Sequence, residues 1–191
     1  MGGTSVKKKP KKVHKPAAPA PAQIAPPAPV VNTAISSLNT VQNIADLATV
    51  IMSEASVGNN TERTCVGFTV INRMIRNGKT SVKDVWRAYA HNQSATEAIK
   101  TLAGELLKGG VADPSGGCTH YYSPRGMPGE TADATKLKGY DTGGGLETVP
   151  GHGKTYKPSW AAAANFTYVA VPDVREWYFK FFRVAGTGAV S

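Results

Sequence analysis

Among the residues able to do chemistry, Glu54 has the most informative place. It follows Ile51 by three positions and Leu47 by seven, which sets it beside a helical apolar stripe, near the end of that helix. A carboxyl in partial contact with water and partial contact with apolar neighbours has its charged form disfavoured, so it can hold a proton at neutral pH and donate it. The plainer alternative is a helix-edge carboxylate paired with Arg63 or Arg73. Glu62 stands three residues after Asn59, the spacing of a capping pair, and Asp113 belongs to the turn-forming run Asp113-Pro114-Ser115-Gly116-Gly117; neither is placed as a second free acid. Cys118 with His120 or His152 would make a thiol nucleophile and base. However, Cys118 follows two glycines on an extended segment, away from the helix N-termini where thiolates are activated. His120 and His152 have no third ligand at a recognisable spacing, so no metal site is expected, and nothing calls for a cofactor.

The elements that must hold Glu54 follow from periodicity. Ile44, Leu47, Ala48, Ile51 and Met52 repeat as one buried stripe and predict a helix from Val41 to Ala55. Asn59 and Glu62 open a second helix carrying Val66, Val70 and Met74, closed by Asn77-Gly78. Gly67 inside it weakens the helix, and the close approach of another backbone is the expected compensation. Ser81 with Asp84 predicts a short third helix through Val85 and Trp86. Ser94 with Glu97 predicts a fourth, with Ile99, Leu102, Ala103, Leu106 and Leu107 as its stripe.

Beyond the turn at Asp113 the pattern changes. Cys118 to Ser123 reads as a strand that sends His120 and Tyr122 to one face and Thr119 and Tyr121 to the other. Residues 125–158 are rich in Gly, Pro and Thr and too long for an idle loop, which suggests a wall or lid facing a substrate. A short helix is expected over Ser159 to Asn165. Phe166 to Val171 and Val174 to Val184 then predict a closing hairpin, with Trp177, Phe179 and Phe181 on one face. Helices followed by strands imply an α+β fold, mainly helical with a small antiparallel sheet.

The chain has 191 residues, 41% of them hydrophobic, enough for one core. Of its net charge of +9, six units come from Lys7, Lys8, Lys9, Lys11, Lys12 and Lys15, which leaves +3 for the rest. The basic character therefore belongs to an appendage, suited either to gripping nucleic acid, acidic lipid or cell-wall polymers or to serving as a solvated tail that helps solubility. Ala17 to Val31 is almost wholly Ala and Pro, which buries too little to repay ordering. The expected division is a disordered tail and linker over residues 1–38 and one domain over residues 39–191. No apolar run reaches the length of a membrane span, and no Leu-rich segment of a secretory signal follows the basic start. Cys65 and Cys118, too few for a disulfide framework, are expected as buried thiols.

Two ordered blocks give a more specific indication. Ser53-Glu54-Ala55-Ser56-Val57-Gly58, followed by Val66, Val70 and Asn72-Arg73, resembles the cell wall hydrolase family of spore-cortex-lytic (SleB-type) enzymes. There, a helix ends in Glu-Ala-x-x-x-Gly and the next ends in Asn-Arg. The second block, Asp113 to Pro124, is similar to that family's Asp-Pro-Thr-Gly-Gly-Ala segment leading into an aromatic strand. It departs from the pattern at Cys118, where Ala is usual, and at Ser123, where Asn is common.

The resemblance implies a lysozyme-like fold that cleaves the glycan strands of bacterial peptidoglycan between N-acetylmuramic acid and N-acetylglucosamine. It makes Glu54 the catalytic acid and base and places Asn72, His120, Tyr121, Tyr122 and Ser123 against the glycan. With a single outstanding acid, the reaction implied is that of a lytic transglycosylase. A muramidase would need a second carboxylate, for which Glu62 is the candidate. The tail and the absence of a signal fit a bacteriophage protein, carried in the virion or released to the periplasm and wall, and also a bacterial enzyme exported by an unrecognised route. In a virion the tail would hold nucleic acid or another virion protein. The readings from other classes are a non-catalytic wall-binding or virion structural module, and the Cys118 amidase or peptidase.

Overall fold

The structure, a computed structural model, describes residues 32–185. The expected lysine cluster and Ala/Pro linker lie outside those residues. The predicted boundary at residue 39 moves toward the N-terminus. Asn32 caps a one-turn helix, α1 (Thr33–Ser36), its side-chain oxygen accepting the Ile35 N–H at 3.2 Å. Ile35 and Leu38 are each only 4% exposed, so this segment belongs to the folded unit. Two apolar residues among small polar ones carry no period, which is why the pattern does not mark them.

Helix α2 (Val41–Ala55) has the predicted bounds; the Thr40 hydroxyl caps it by accepting the Asn43 N–H at 3.1 Å. Helix α3 (Asn60–Arg76) opens with the reciprocal capping box expected of Asn59 and Glu62. Helix α4 (Glu97–Leu107) is capped by Thr96 instead of Ser94. α2 packs on both α3 and α4, and Leu47, Ile51, Phe68, Ile71, Leu106 and Leu107 are fully excluded from water where they meet. Each such side chain contributes about 2 kcal/mol. Gly67 lies at this junction. A Cβ there would stand 2.5 Å from Leu106 Cδ1 and 3.1 Å from Ile51 Cδ1, so the close neighbours are two core side chains and not another backbone.

The predicted third helix is instead two short 3-10 turns, Val82–Asp84 and Trp86–Ala88. The buried side chain of Asn43 draws this segment in: its amide donates to the Leu38 and Thr80 carbonyls, both at 2.8 Å, and its oxygen accepts the Val82 N–H.

Strand β1 (His120–Tyr122), a one-turn helix α5 (Ala134–Leu137), a hairpin of β2 (Leu146–Val149) and β3 (Gly153–Tyr156), β4 (Phe166–Val169) and β5 (Lys180–Val184) follow among the described residues. β5 lies between β1 and β4, antiparallel to both, with Tyr121 opposite Phe181 and Tyr168 opposite Phe182. Helices with a small antiparallel sheet make this an α+β fold. The closing hairpin forms as β4 and β5, but β5 begins later than expected. The Arg175 carbonyl accepts the N–H groups of Tyr178 and Phe179, a turn that leaves Trp177 outside the strand and 36% exposed. Phe179 and Phe181 alone join the core from that trio. The expected helix after Ser159 is a single 3-10 turn, Ser159–Ala162. No helix among the described residues is long and apolar enough to cross a membrane.

Candidate functional site

The alternation of β1 separates its aromatic residues as anticipated. Tyr121 turns toward the helices, its ring against Tyr89, Phe179 and Phe181. His120 and Tyr122 turn to the opposite face, where both meet Trp160. Where the last turn of α2 approaches β1, a cleft of about 510 Å³ opens, walled by Glu54, Arg73, Tyr121, Tyr122, Ser123 and Arg125 among others.

Glu54 enters this cleft half-buried. Its Oε1 accepts the Ala90 N–H, and one residue earlier the Ser53 hydroxyl accepts the Gln93 N–H at 2.9 Å. Two adjacent side chains of α2 thus bind the strap that follows the 3-10 turns, and in return the strap fixes one oxygen of the carboxylate. The Tyr121 hydroxyl lies buried beside Glu54 without a hydrogen bond of ordinary geometry. Burial first, and then the negative charge of Glu54, hold that phenol protonated well above its usual range.

Two cationic side chains share the wall. Arg73 donates to the Thr119 carbonyl at 2.9 Å and lies 5.1 Å from the centre of the Tyr89 ring. Arg125 donates to the Tyr178 hydroxyl and stands 5.0 Å from that ring's centre, while Arg175 covers the same ring at 4.1 Å. Tyr89 and Tyr178 were not legible as site residues, because each reaches the cleft through a turn whose path no local pattern records, whereas Arg125 begins the segment expected to face a substrate. Arg73 was visible, as a salt-bridge partner for Glu54 and within the Asn-Arg pair.

The other candidate acids are already committed. Glu62 is fully buried: it accepts the Asn59 N–H at 2.8 Å, the Arg175 N–H at 2.9 Å and two bonds from the Arg175 guanidinium at 2.8 and 2.6 Å. Burial alone would push its pKa up, but the bonds from Arg175 and Asn59 outweigh this and bring it below the ordinary value. Saturated and dry, it has no room to activate a water, which removes it as the second acid of a muramidase. Asp113 accepts from Asn72, from the N–H and hydroxyl of Ser115, and from the Gly117 N–H.

Of the residues expected at the site, Glu54, Tyr121, Tyr122 and Ser123 come together and two do not. Asn72 is only 4% exposed and spends its amide on Asp113 and the Cys118 carbonyl, so it braces the turn before β1. His120 packs against Trp160 and Phe166 on the far side of the sheet, Nδ1 2.9 Å from the Thr119 hydroxyl. His120 lies on the face of β1 opposite Tyr121, as the alternation of the strand predicts. Cys65 and Cys118 are buried free thiols. Burial, with Asp113 nearby, pushes Cys118 up to about 12, and its thiol donates to the Ser115 carbonyl, leaving no nucleophile for a Cys/His enzyme. His152 is exposed in the β2–β3 turn, and the described residues contain no group of three His, Cys, Asp or Glu arranged to hold a metal.

No family model, curated protein or solved structure matches this chain. What the cleft can do therefore follows from its own residues. They offer a half-sheltered carboxyl fixed at one oxygen, aromatic and hydroxyl groups on the opposite wall, and two guanidinium groups at the rim.

Proposed function

We propose that this chain cleaves peptidoglycan glycan strands between N-acetylmuramic acid and N-acetylglucosamine by the lytic transglycosylase route, on a lysozyme-like arrangement of helices and sheet. One observation carries the reading: Glu54 is the one carboxylate among the residues lining the cleft. Glycosidases of the two-carboxylate type need a partner acid, whereas an internal nucleophile on the sugar needs only one group to move its proton. Glu54 first donates a proton to the glycosidic oxygen as the bond from the muramic C1 breaks. The resulting carboxylate then takes the proton of the muramic 6-hydroxyl as O6 closes on C1, giving a 1,6-anhydro end and a free 4-hydroxyl on the leaving sugar. Intramolecular attack gains from proximity. The Ala90 N–H holds the carboxylate's orientation through both transfers. Tyr121, Tyr122 and Ser123 stand in the wall against which the sugars lie, with the Tyr121 hydroxyl buried and that of Tyr122 held by Glu147. Arg73 and Arg125 match the carboxylates that muramic acid and its peptides carry.

The Lys-rich start supports a place in a phage particle, or release to the wall at lysis, with the cluster engaging nucleic acid or a neighbouring virion protein. Glu54→Gln tests the catalytic assignment: release of soluble fragments from purified sacculi should fall by at least about a thousandfold with the fold intact. Mass spectrometry of the wild-type products should show anhydro ends. Reducing ends would require a second acid, and binding to sacculi without any turnover would make the chain a wall-binding module.

A further inference from the structure

The long segment after the cleft wall is built more firmly than a connection requires. Tyr156 donates its N–H to the Pro128 carbonyl and Glu130 donates to the Lys154 carbonyl, both at 2.9 Å. Farther along, Gly144 donates to Lys157 at 3.0 Å and Lys157 donates to Gly145 at 2.7 Å. Only glycine fits that last junction, because a Cβ on residue 144 would lie 2.2 Å from the Pro158 carbonyl oxygen. The Asp141 carboxylate closes the segment by accepting from the Ser159 N–H and hydroxyl at 2.8 and 2.7 Å and from the Gly143 N–H at 3.1 Å.

The first part of this segment lines a second, open hollow of about 380 Å³, with Met127, Pro128, Thr131, Lys136 and Tyr140 in its wall. Gly126 lines both this cavity and the Glu54 cleft, so the two adjoin. Tyr140 is 50% exposed. An aromatic face left half in water on a pinned loop, with an ammonium group on the same wall, suits a ligand that is apolar on its flat faces and polar at its edges.

We propose that this cavity is a second saccharide subsite, in which the Tyr140 ring stacks on a pyranose face and the Lys136 ammonium meets a carboxylate of the same strand. The inference rests on reading the Glu54 cleft as a glycan groove. A polymer runs past the bond that breaks, and binding collected beyond Gly126 holds the strand in register over Glu54.

Calorimetric titration of the full-length chain with two probes tests it: long uncross-linked peptidoglycan strands and a single disaccharide unit. Tyr140→Ala should weaken binding of long strands about three- to tenfold, Tyr140→Phe should keep wild-type affinity, and neither should alter binding of the disaccharide. Unchanged long-strand affinity in Tyr140→Ala, or an equal loss on both probes, overturns the subsite. Wild-type protein that binds long strands yet releases no product overturns the cleavage reading alone, and the same affinities still judge the subsite. Absence of binding to either probe overturns both.

Discussion

Glu54 and Glu62 sit on consecutive helices, yet their surroundings give them opposite work. Glu62 is dry, capped and held by Arg175; Glu54 keeps one fixed oxygen and an open side. A similar division separates Tyr121, which faces Glu54, from His120, which faces an aromatic cluster. Burial first, and then the Arg73 and Arg76 guanidiniums, lower the His120 pKa from 6.5 to about 4, so the folded protein holds it neutral. Because the folded value lies below the unfolded one, its contribution to stability is fully present above the unfolded pKa. It drains as the pH falls toward the folded pKa, where the unfolded chain accepts a proton that the native state refuses. Between about pH 7 and about pH 5 the loss should be on the order of 1 kcal/mol, because solvent reaches part of the ring and screens its charge. Urea denaturation at both pH values should show it in wild type and show much less of it in His120→Phe, which keeps a ring among Trp160 and Phe166.

The β2–β3 hairpin reaches the sheet through one carboxylate. Glu147 accepts the Tyr122 hydroxyl at 2.5 Å and also the Lys180 ammonium, so it bridges β2 to both β1 and β5. Its side chain is 10% exposed and that of Lys180 23%, so the pair is sheltered enough for its loss to matter. Glu147→Ala should lower stability by about 2–3 kcal/mol by stranding the ammonium and the phenol. Adding Lys180→Met should recover part of it, a coupling that a double-mutant cycle in urea measures. The loop expected to be a substrate-facing wall does reach the cleft, since Arg125 and Gly126 line it. Its hairpin was not foreseen, because Leu146 to Tyr156 alternates weakly and is paired by backbone bonds across a glycine turn.

For the molecule as a whole, the helices form one core that also takes in the segment ahead of α2. Asn32 donates its N–H to the Gly109 carbonyl at 2.9 Å, joining that segment to the end of α4. A chain beginning at residue 39 should therefore be less stable than one beginning at residue 32, by about 4 kcal/mol, because it loses the burial of both Ile35 and Leu38. Thermal unfolding of the two compares them directly, and equal midpoints would place residues 32–38 outside the cooperative unit.

The sequence by itself determined the parts whose information is local. α2 and α3 were legible to the residue, since an apolar stripe and a capping box are written within a few turns of chain. So were the opposed faces of β1 and the partial shelter of Glu54. Only the tertiary structure decided what depends on distant partners. It turned Glu62 and Asn72 into braces, carried His120 away from the cleft, and brought Tyr89 and Tyr178 into it. The physical reason is that burial, charge pairing and hydrogen-bond saturation are settled between residues far apart in the chain, such as Glu62 and Arg175, and no spacing rule encodes such a meeting.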